Sequence, residues 1–442
     1  MNLEQKRVAI LGAGGSGYAA ASLALSRGAE VSVYDSGDEN RLAPAVERFR
    51  ELGCLLTTGE AALSPDGEFD LAVISPGIDL ASPISREFSR VSNELIGEVE
   101  FANRLSEVPV IAITGTNGKT TTTSLIAEML QSTGLSVVAA GNIGLAYSEV
   151  VERGESLDWI VLEVSSFQLE SISQFSPRIS IWMNFAPDHM DRYANLDEYR
   201  SAKQNLFRNA DANTTVIRKK EDDVWDGAAV TFSAFSEGGA FEYLDGMIRH
   251  LATGREFSFR DCRLHGKHNA ENVMVALAVA DELGLSWNAV ANAIEGFRAP
   301  AHRCEKVREL EGVIFINDSK STNLHSLQSA LAGQEASTVL IVGGKQKGLD
   351  FSEVRPLLSD KVRHAVCLGE IGESIADTWH GTVPATVVAS MDEAVRLAFS
   401  EADEGDVVLF SPGTSSFDMY PGYEARGDDF RRAVEALDGS EE

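Results

Sequence analysis

The chain has 442 residues, with 38 Lys and Arg against 67 Asp and Glu for a formal charge of -29, and 44% of it is hydrophobic. At roughly 150 residues per domain this suggests about three domains, with enough apolar residues to exclude a wholly disordered chain. The acidic excess argues against a general nucleic-acid or membrane-surface binder, and no apolar run reaches the ~20 residues that cross a bilayer.

Taken in chain order, apolar runs over 7–11, 30–34 and 70–74 read as strands separated by helix-length segments, a βαβ pattern that predicts a parallel sheet. The pattern restarts at 108–113, after the polar stretch 104–107. Further strands are expected over 159–163 and 179–183, and a small antiparallel excursion over 228–264. Helical patterns over 269–283 and 287–294 precede the stretch 296–300, where a second boundary is placed. Strands then recur at 313–316, 338–342, 364–368, 386–388 and 406–410. The predicted organisation is three α/β domains: 1–104, 105–298 and 299–442. The four cysteines (Cys54, Cys262, Cys304 and Cys367) are widely spaced. With no signal peptide visible in the polar first six residues, they fit reduced thiols of a cytoplasmic protein.

The first motif is Gly12-Ala-Gly14-Gly15-Ser16-Gly17, following a strand, with Asp35 ending the next one. Such a turn lets backbone approach a phosphate at a helix N-terminus, and the acid can bind a ribose. It suits a dinucleotide or any nucleoside diphosphate, and it also serves plain strand–helix packing. The second runs Gly115-Thr116-Asn117-Gly118-Lys119-Thr120-Thr121 after a strand and before a helix reaching about residue 131. In a phosphate loop the amides cradle oxygens, the lysine neutralises terminal phosphates and the hydroxyl binds Mg²⁺. The ordinary spacing would put glycine where Ile113 stands, so this is a shorter variant. Downstream, Glu163 ends a buried strand, and Asp188-His189-Met190-Asp191-Arg192-Tyr193 follows another. Glu163 and His189 could reach one metal–phosphate site from neighbouring strand ends. In the last third, His302-Arg303, the tract Asn317–Asn323, Gly343-Gly344-Lys345-Gln346-Lys347 and Ser411–Asp418 present polar strand ends that suggest a second ligand. Of the 11 lysines, six (119, 203, 267, 320, 345 and 347) lie in these motif loops, where a compact point charge is useful.

GTNGKTT, GNIG, LEVSSFQLE, DHMDRY, YRSAK, HNAEN, HR, NDSKSTN and SPGTSSFD occur in this order over essentially the whole chain. Together they resemble the D-glutamate-adding members of the Mur ligase family. LEVSSFQLE, DHMDRY and NDSKSTN mark that member among relatives that share the phosphate loop. The resemblance implies a Rossmann-like N-terminal domain, a central ATPase domain and a Rossmann-like C-terminal domain. It also implies a cytoplasmic enzyme, a monomer with no nucleic-acid partner and no membrane insertion. ATP would be the co-substrate with Mg²⁺ at two sites, and neither NAD nor flavin would be used; UDP-N-acetylmuramoyl-L-alanine and D-glutamate would be joined.

Residue by residue, the family pattern implies UDP contacts at Ser16, Gly17, Asp35, Ser36, Gly77 and Asn142. ATP would meet the loop Gly115–Thr121, with Asn272 at the adenine, Arg303 at a phosphate and Asp318 at the ribose. Lys320, Thr322, Lys347, Ser416 and Tyr423 match the positions that grip D-glutamate. Lys119, Glu163, His189 and Lys203 are the implied catalytic set. Thr120, Glu163, His189 and Lys203, the last as a carbamate, would hold metal. Two departures stand out: SPGTSS replaces the usual SPACAS, and Pro421-Gly422-Tyr423 replaces a more usual Lys-Asn-aromatic.

Overall fold

Three open sheets organise the computed structural model, which describes residues 1–190, 192–334 and 336–437. The first comprises β1 (Arg7–Leu11), β2 (Glu30–Asp35), β3 (Leu55–Thr58), β4 (Leu71–Ile74) and β5 (Leu95–Gly97). Its order is β3-β2-β1-β4-β5 and every pairing is parallel. Chain direction through the sheet therefore reverses between β1 and β4, the position where open α/β sheets bind ligands. Strands β3 and β5 escaped the sequence reading. They are four and three residues long, too short to carry a period, and β3 leaves Leu55 exposed at the edge.

The second sheet holds β6 (Val110–Thr114), β7 (Val137–Gly141), β8 (Trp159–Glu163), β9 (Ile179–Trp182), β10 (Thr215–Lys219), β11 (Val230–Ser233), β12 (Phe241–Leu244), β13 (Met247–His250) and β14 (Arg255–Ser258). The order is β14-β13-β12-β11-β10-β9-β6-β8-β7. Strand β6 lies at the heart of the parallel part and is buried along its whole length, as a strand covered on both faces must be. The antiparallel excursion exists as β12–β14, but it is no separate lobe: β12 pairs parallel with β11 and extends the same sheet.

The third sheet runs β15-β16-β20-β17-β18-β19, from β15 (Glu305–Leu310), β16 (Val313–Asn317), β17 (Thr338–Val342), β18 (Val362–Cys367), β19 (Ala385–Val387) and β20 (Val407–Phe410). Only β15 is antiparallel. It too went unpredicted, because Glu-Lys-Val-Arg-Glu-Leu is a mostly polar edge strand that pairs on one side only. By contacts the chain forms two compact units. Met1–Phe185, His189–Arg260 and Glu271–Ile294 contain the first two sheets; Ala186–Asp188, Asp261–Ala270 and Glu295–Glu442 contain the third.

Within the first unit the helix Glu98–Asn103 ties the first sheet to the second by two buried carboxylates. Glu98 accepts the Ser148 N–H at 2.6 Å. Glu100 accepts the N–H groups of Ser173, Gln174 and Phe175 at 2.9–3.0 Å, and Arg104 Nε at 2.6 Å. Burial alone would raise the Glu100 carboxyl, but these donors outweigh it and hold the pKa below the ordinary glutamate value. The anchor's contribution is thus complete above the unfolded value of about 4 and is lost as pH falls through the depressed folded one. Glu100→Gln should destabilise the protein by about 3 kcal/mol at neutral pH, because buried donors lose their anion. Thermal unfolding measured from pH 7 down to pH 3 should show the gap to the unsubstituted protein narrowing; a gap that widens in acid would contradict this account.

Candidate active site

The phosphate loop leaves β6 at Thr114 and enters the helix Lys119–Ser132. Gly115 has φ 149° and a Cβ there would lie 2.8 Å from Met183 Cβ, so no side chain fits. Gly118 caps the helix with φ 82°, a left-handed conformation that favours glycine. Lys119 Nζ donates to the carbonyls of Gly115 and Thr116, both at 2.9 Å. Thr120 Oγ1 donates to Glu163 Oε2 at 2.7 Å, and Asn142 Nδ2 to Glu163 Oε1 at 2.9 Å. Glu163 is buried at the C-terminal end of β8, beside β6, which is why the sheet register delivers it to the loop. Thr121 is buried behind the loop. Asn272 accepts Thr122 Oγ1 at 3.0 Å and lies 2.8 Å from where a Gly118 Cβ would be, so it rests directly against the loop.

Asn184 was not foreseen. Its carbonyl accepts the Thr116 N–H at 3.0 Å, its Oδ1 the Asn117 N–H at 2.9 Å, and its Nδ2 donates to the Asn117 carbonyl at 3.1 Å. It thereby sets the shape of the loop. The only sequence signal was a polar residue just past the end of a buried strand.

Lys203 sits on the helix Leu196–Gln204, 2% exposed, and donates to the Gly115 carbonyl at 2.7 Å. Two lysine ammoniums, those of Lys119 and Lys203, thus share one carbonyl oxygen. Lys203 Nζ also lies 4.8 Å from the Tyr199 ring centroid. The His189 ring meets Tyr199 edge-on at 6.0 Å and Phe167 at 4.9 Å. His189 is exposed with φ 57°. The loop is braced by Arg192, which donates to Glu170 at 2.7 Å and lies over Phe167. Asp191, part of the sequence motif, falls outside the described residues.

At the C-terminal ends of β1, β2 and β4 the glycine loop is equally tight. A Cβ on Gly17 would stand 1.9 Å from the Gly12 carbonyl. Asp35 accepts the Ala13 N–H at 2.8 Å and the Gly37 N–H at 2.9 Å, so it shapes both loops at once. Ser16 is half-buried in the loop, while Ser36 and Gly77 are exposed around it. The Ser75 hydroxyl is buried without a hydrogen-bond partner, 2.7 Å from where a Gly12 Cβ would stand. An orphaned buried hydroxyl at the strand reversal suits a polar ligand.

In the second unit, Lys320 Nζ stands 3.7 Å over the Tyr423 ring. Lys347 Nζ reaches the Thr322 carbonyl at 3.5 Å, and Ser416 is buried after β20. Asp318 accepts Ser411 Oγ at 2.9 Å and the Cys304 N–H at 3.1 Å. Burial pushes its carboxyl up to about 7, against the pull of these donors and of Arg303. His302 has φ 64° and its Nδ1 lies 3.0 Å from Asn317 Nδ2, which orders the strand end preceding Asp318.

Comparison with known sequences bears on this constellation. A curated relative of Geobacter metallireducens, named UDP-N-acetylmuramoylalanine--D-glutamate ligase, is 39% identical over 99% of both chains. The chain belongs to this ligase family. Relatives with the same name from Caldanaerobacter subterraneus subsp. tengcongensis and Acidobacterium capsulatum are each 37% identical over at least 98% of both chains. The Mur ligase middle domain matches residues 113–280, and the Mur ligase, glutamate ligase domain, residues 302–413. Among solved structures, the UDP-N-acetylmuramate-alanine ligase of Thermotoga maritima shares the fold. Its TM-score is 0.61 at 21% identity, covering 98% of this chain and 100% of that one. A MurF ligase of the same organism, in complex with ADP, has a TM-score of 0.61 at 15% identity, covering 98% and 96%. The phosphate loop, Glu163, Asn142 and Lys203 all fall within the middle-domain match of this family member, and Arg303, Asp318, Lys320, Thr322 and Lys347 within the glutamate-ligase match. Ser416, Tyr423 and the glycine loop lie outside both. Among the described residues no helix is long and apolar enough to cross a membrane.

Proposed function

We propose that this ligase joins D-glutamate to UDP-N-acetylmuramoyl-L-alanine at the expense of ATP, in the cytoplasmic stage of peptidoglycan synthesis, as a monomer. The observation that carries the reading is the Lys119, Thr120 and Glu163 arrangement around the phosphate loop in a chain of this family. The domain boundaries after residues 104 and 298 belong to the same proposal, with UDP, ATP and amino-acid sites on successive domains.

The alanine carboxylate oxygen would take the γ-phosphoryl of ATP, forming a P–O bond as ADP leaves. The D-glutamate amine then attacks the acyl carbon, the tetrahedral adduct expels phosphate, and the amine gives up a proton. Such chemistry is mainly positioning and charge neutralisation. Lys119 would leave its two loop carbonyls for the terminal phosphates, with the amides from Gly115 to Thr121 around them. Asn272, Arg303 and Asp318 would hold the rest of ATP. Ser16, Gly17, Asp35, Ser36, Gly77 and Asn142 would hold the UDP-sugar. Lys320, Thr322, Lys347, Ser416 and Tyr423 would take the two carboxylates of D-glutamate.

The donor set fits Mg²⁺. Thr120 and Glu163 offer hard oxygens already in contact at 2.7 Å. Among the described residues no three His, Cys, Asp or Glu side chains gather to hold an ion by themselves, so phosphate oxygens would complete its shell. Thr120 and Glu163 would hold one ion, His189 and a carbamylated Lys203 the second. Bound there, Mg²⁺ would offset the charge that builds between phosphoryl and acyl oxygens. A carbamate on Lys203 would keep an N–H for the Gly115 carbonyl while turning a buried cation into an anion.

The test is ADP release with each substrate omitted in turn. Full turnover should need both UDP-N-acetylmuramoyl-L-alanine and D-glutamate. L-glutamate should be slower by about 100-fold or more, because fixed donors can pair both carboxylates of one enantiomer only. Equal turnover of L-glutamate, or full ADP release without an acceptor, would refute the assignment.

A further inference from the structure

The helix Tyr423–Glu435 buries Arg426 to 2% exposure beneath the loops that follow β16, β17 and β20. Nε donates to Ser319 Oγ at 3.1 Å, Nη2 to the Ser319 carbonyl at 2.7 Å and the Thr414 carbonyl at 3.1 Å, and Nη1 to the Thr414 carbonyl at 3.1 Å. The third loop is pressed on the same group: a Cβ on Gly344 would stand 3.0 Å from Nη1 and 2.4 Å from the Ser415 carbonyl. The loops are also laced to one another. Thr414 Oγ1 donates to the Lys345 carbonyl at 2.6 Å, the Lys345 N–H to the Ser415 carbonyl at 2.9 Å, and Ser319 Oγ to the Tyr423 carbonyl at 2.8 Å.

Among the described residues, every hydrogen-bond acceptor on this guanidinium is a neutral oxygen. Burying a cation without a bonded carboxylate costs several kcal/mol, and a well-packed apolar side chain of similar volume would often serve stability better. Burial pulls its pKa down to about 10, with Asp418 pulling the other way, so it remains a cation at neutral pH. A residue that departs from the burial rule where three polar loops meet is where a functional role is expected.

We infer that Arg426 is the positioning residue of the amino-acid site: its fork ties the loops at Ser319 and Thr414 together with the third loop packed against it at Gly344, and its buried charge favours a dicarboxylate in a protein of net charge -29. The inference rests on the proposed function. It concerns how Lys320, Thr322, Lys347, Ser416 and Tyr423 are held, since Arg426 touches two of the loops that carry them.

Steady-state ADP release by Arg426→Met and Arg426→Lys enzymes tests it. Arg426→Met should raise KM for D-glutamate by about 100-fold, as expected for losing a buried charged partner, with KM for ATP and for the UDP-sugar within a few-fold. Arg426→Lys keeps charge but not the fork, and a buried lysine sheds its proton more readily. Its KM for D-glutamate, relative to the unsubstituted enzyme, should therefore climb between pH 7 and pH 9. A folded Arg426→Met enzyme with unchanged KM for D-glutamate overturns the inference, as does equal loss for all three substrates. If the methionine variant fails to fold, a pH-independent KM ratio for Arg426→Lys does the same. An unsubstituted enzyme that ignores D-glutamate would instead defeat the proposed function.

Discussion

Lys119→Ala should abolish ADP formation while leaving UDP-sugar binding nearly intact. The ammonium of Lys119 donates to two carbonyls of the loop, those of Gly115 and Thr116. Removing a preorganised donor from a transferring phosphoryl group costs about 10²- to 10³-fold in rate, enough to bring ADP formation close to background. Alanine also keeps the helix Lys119–Ser132, since it favours helix more than lysine does. The UDP-sugar would sit on the glycine loop after β1, in a different sheet whose geometry does not depend on Lys119. Calorimetric titration with the UDP-sugar beside an ADP-release assay checks both halves. A folded variant that loses both equally would show that the two ligands do not occupy separate loops.

The second large effect concerns Lys203, where two substitutions separate two accounts. If a carbamate forms, Lys203→Arg should be inactive, because a guanidinium keeps its positive charge and cannot react with CO₂ to make one. Lys203→Glu should keep partial activity by supplying a carboxylate. If Lys203 is an ordinary helix lysine paired with Asp197 or Glu198, arginine should be nearly neutral and glutamate the worse change. The structure removes a premise of that second account: Lys203 is 2% exposed and donates to the phosphate loop at 2.7 Å. Carbamylation needs a deprotonated amine, the form that attacks CO₂. An active Lys203→Arg enzyme would eliminate the carbamate; mass spectrometry of the intact protein in bicarbonate buffer offers an independent reading.

The motifs were legible because each needs a residue type that nothing else at that place requires. A glycine at 115 or 118 reports a backbone no side chain could follow, and a lysine before a threonine run reports phosphate. Strands β1, β8 and β17 were read to the residue because continuous apolar runs bounded by polar turns mark strands buried on both faces. The short strands β3 and β5, the five-residue strands β7 and β10 and the polar edge strand β15 were missed, since each is defined by its pairing with a neighbour more than by its own composition.

By itself, then, the sequence determined the class of fold, three successive α/β sheets, and the loops that carry the chemistry, because hydrophobic period and glycine conformation are local properties of a chain. Only the tertiary structure decided which side chains meet. Asn184 clasps the phosphate loop from the end of β9. Lys203 reaches Gly115 across 88 residues of chain. Arg426 joins Ser319 to Thr414 from a helix that follows both. Those contacts depend on strand order and register, and parallel sheets are closed by pairings between residues far apart in sequence, whose positions no local pattern records.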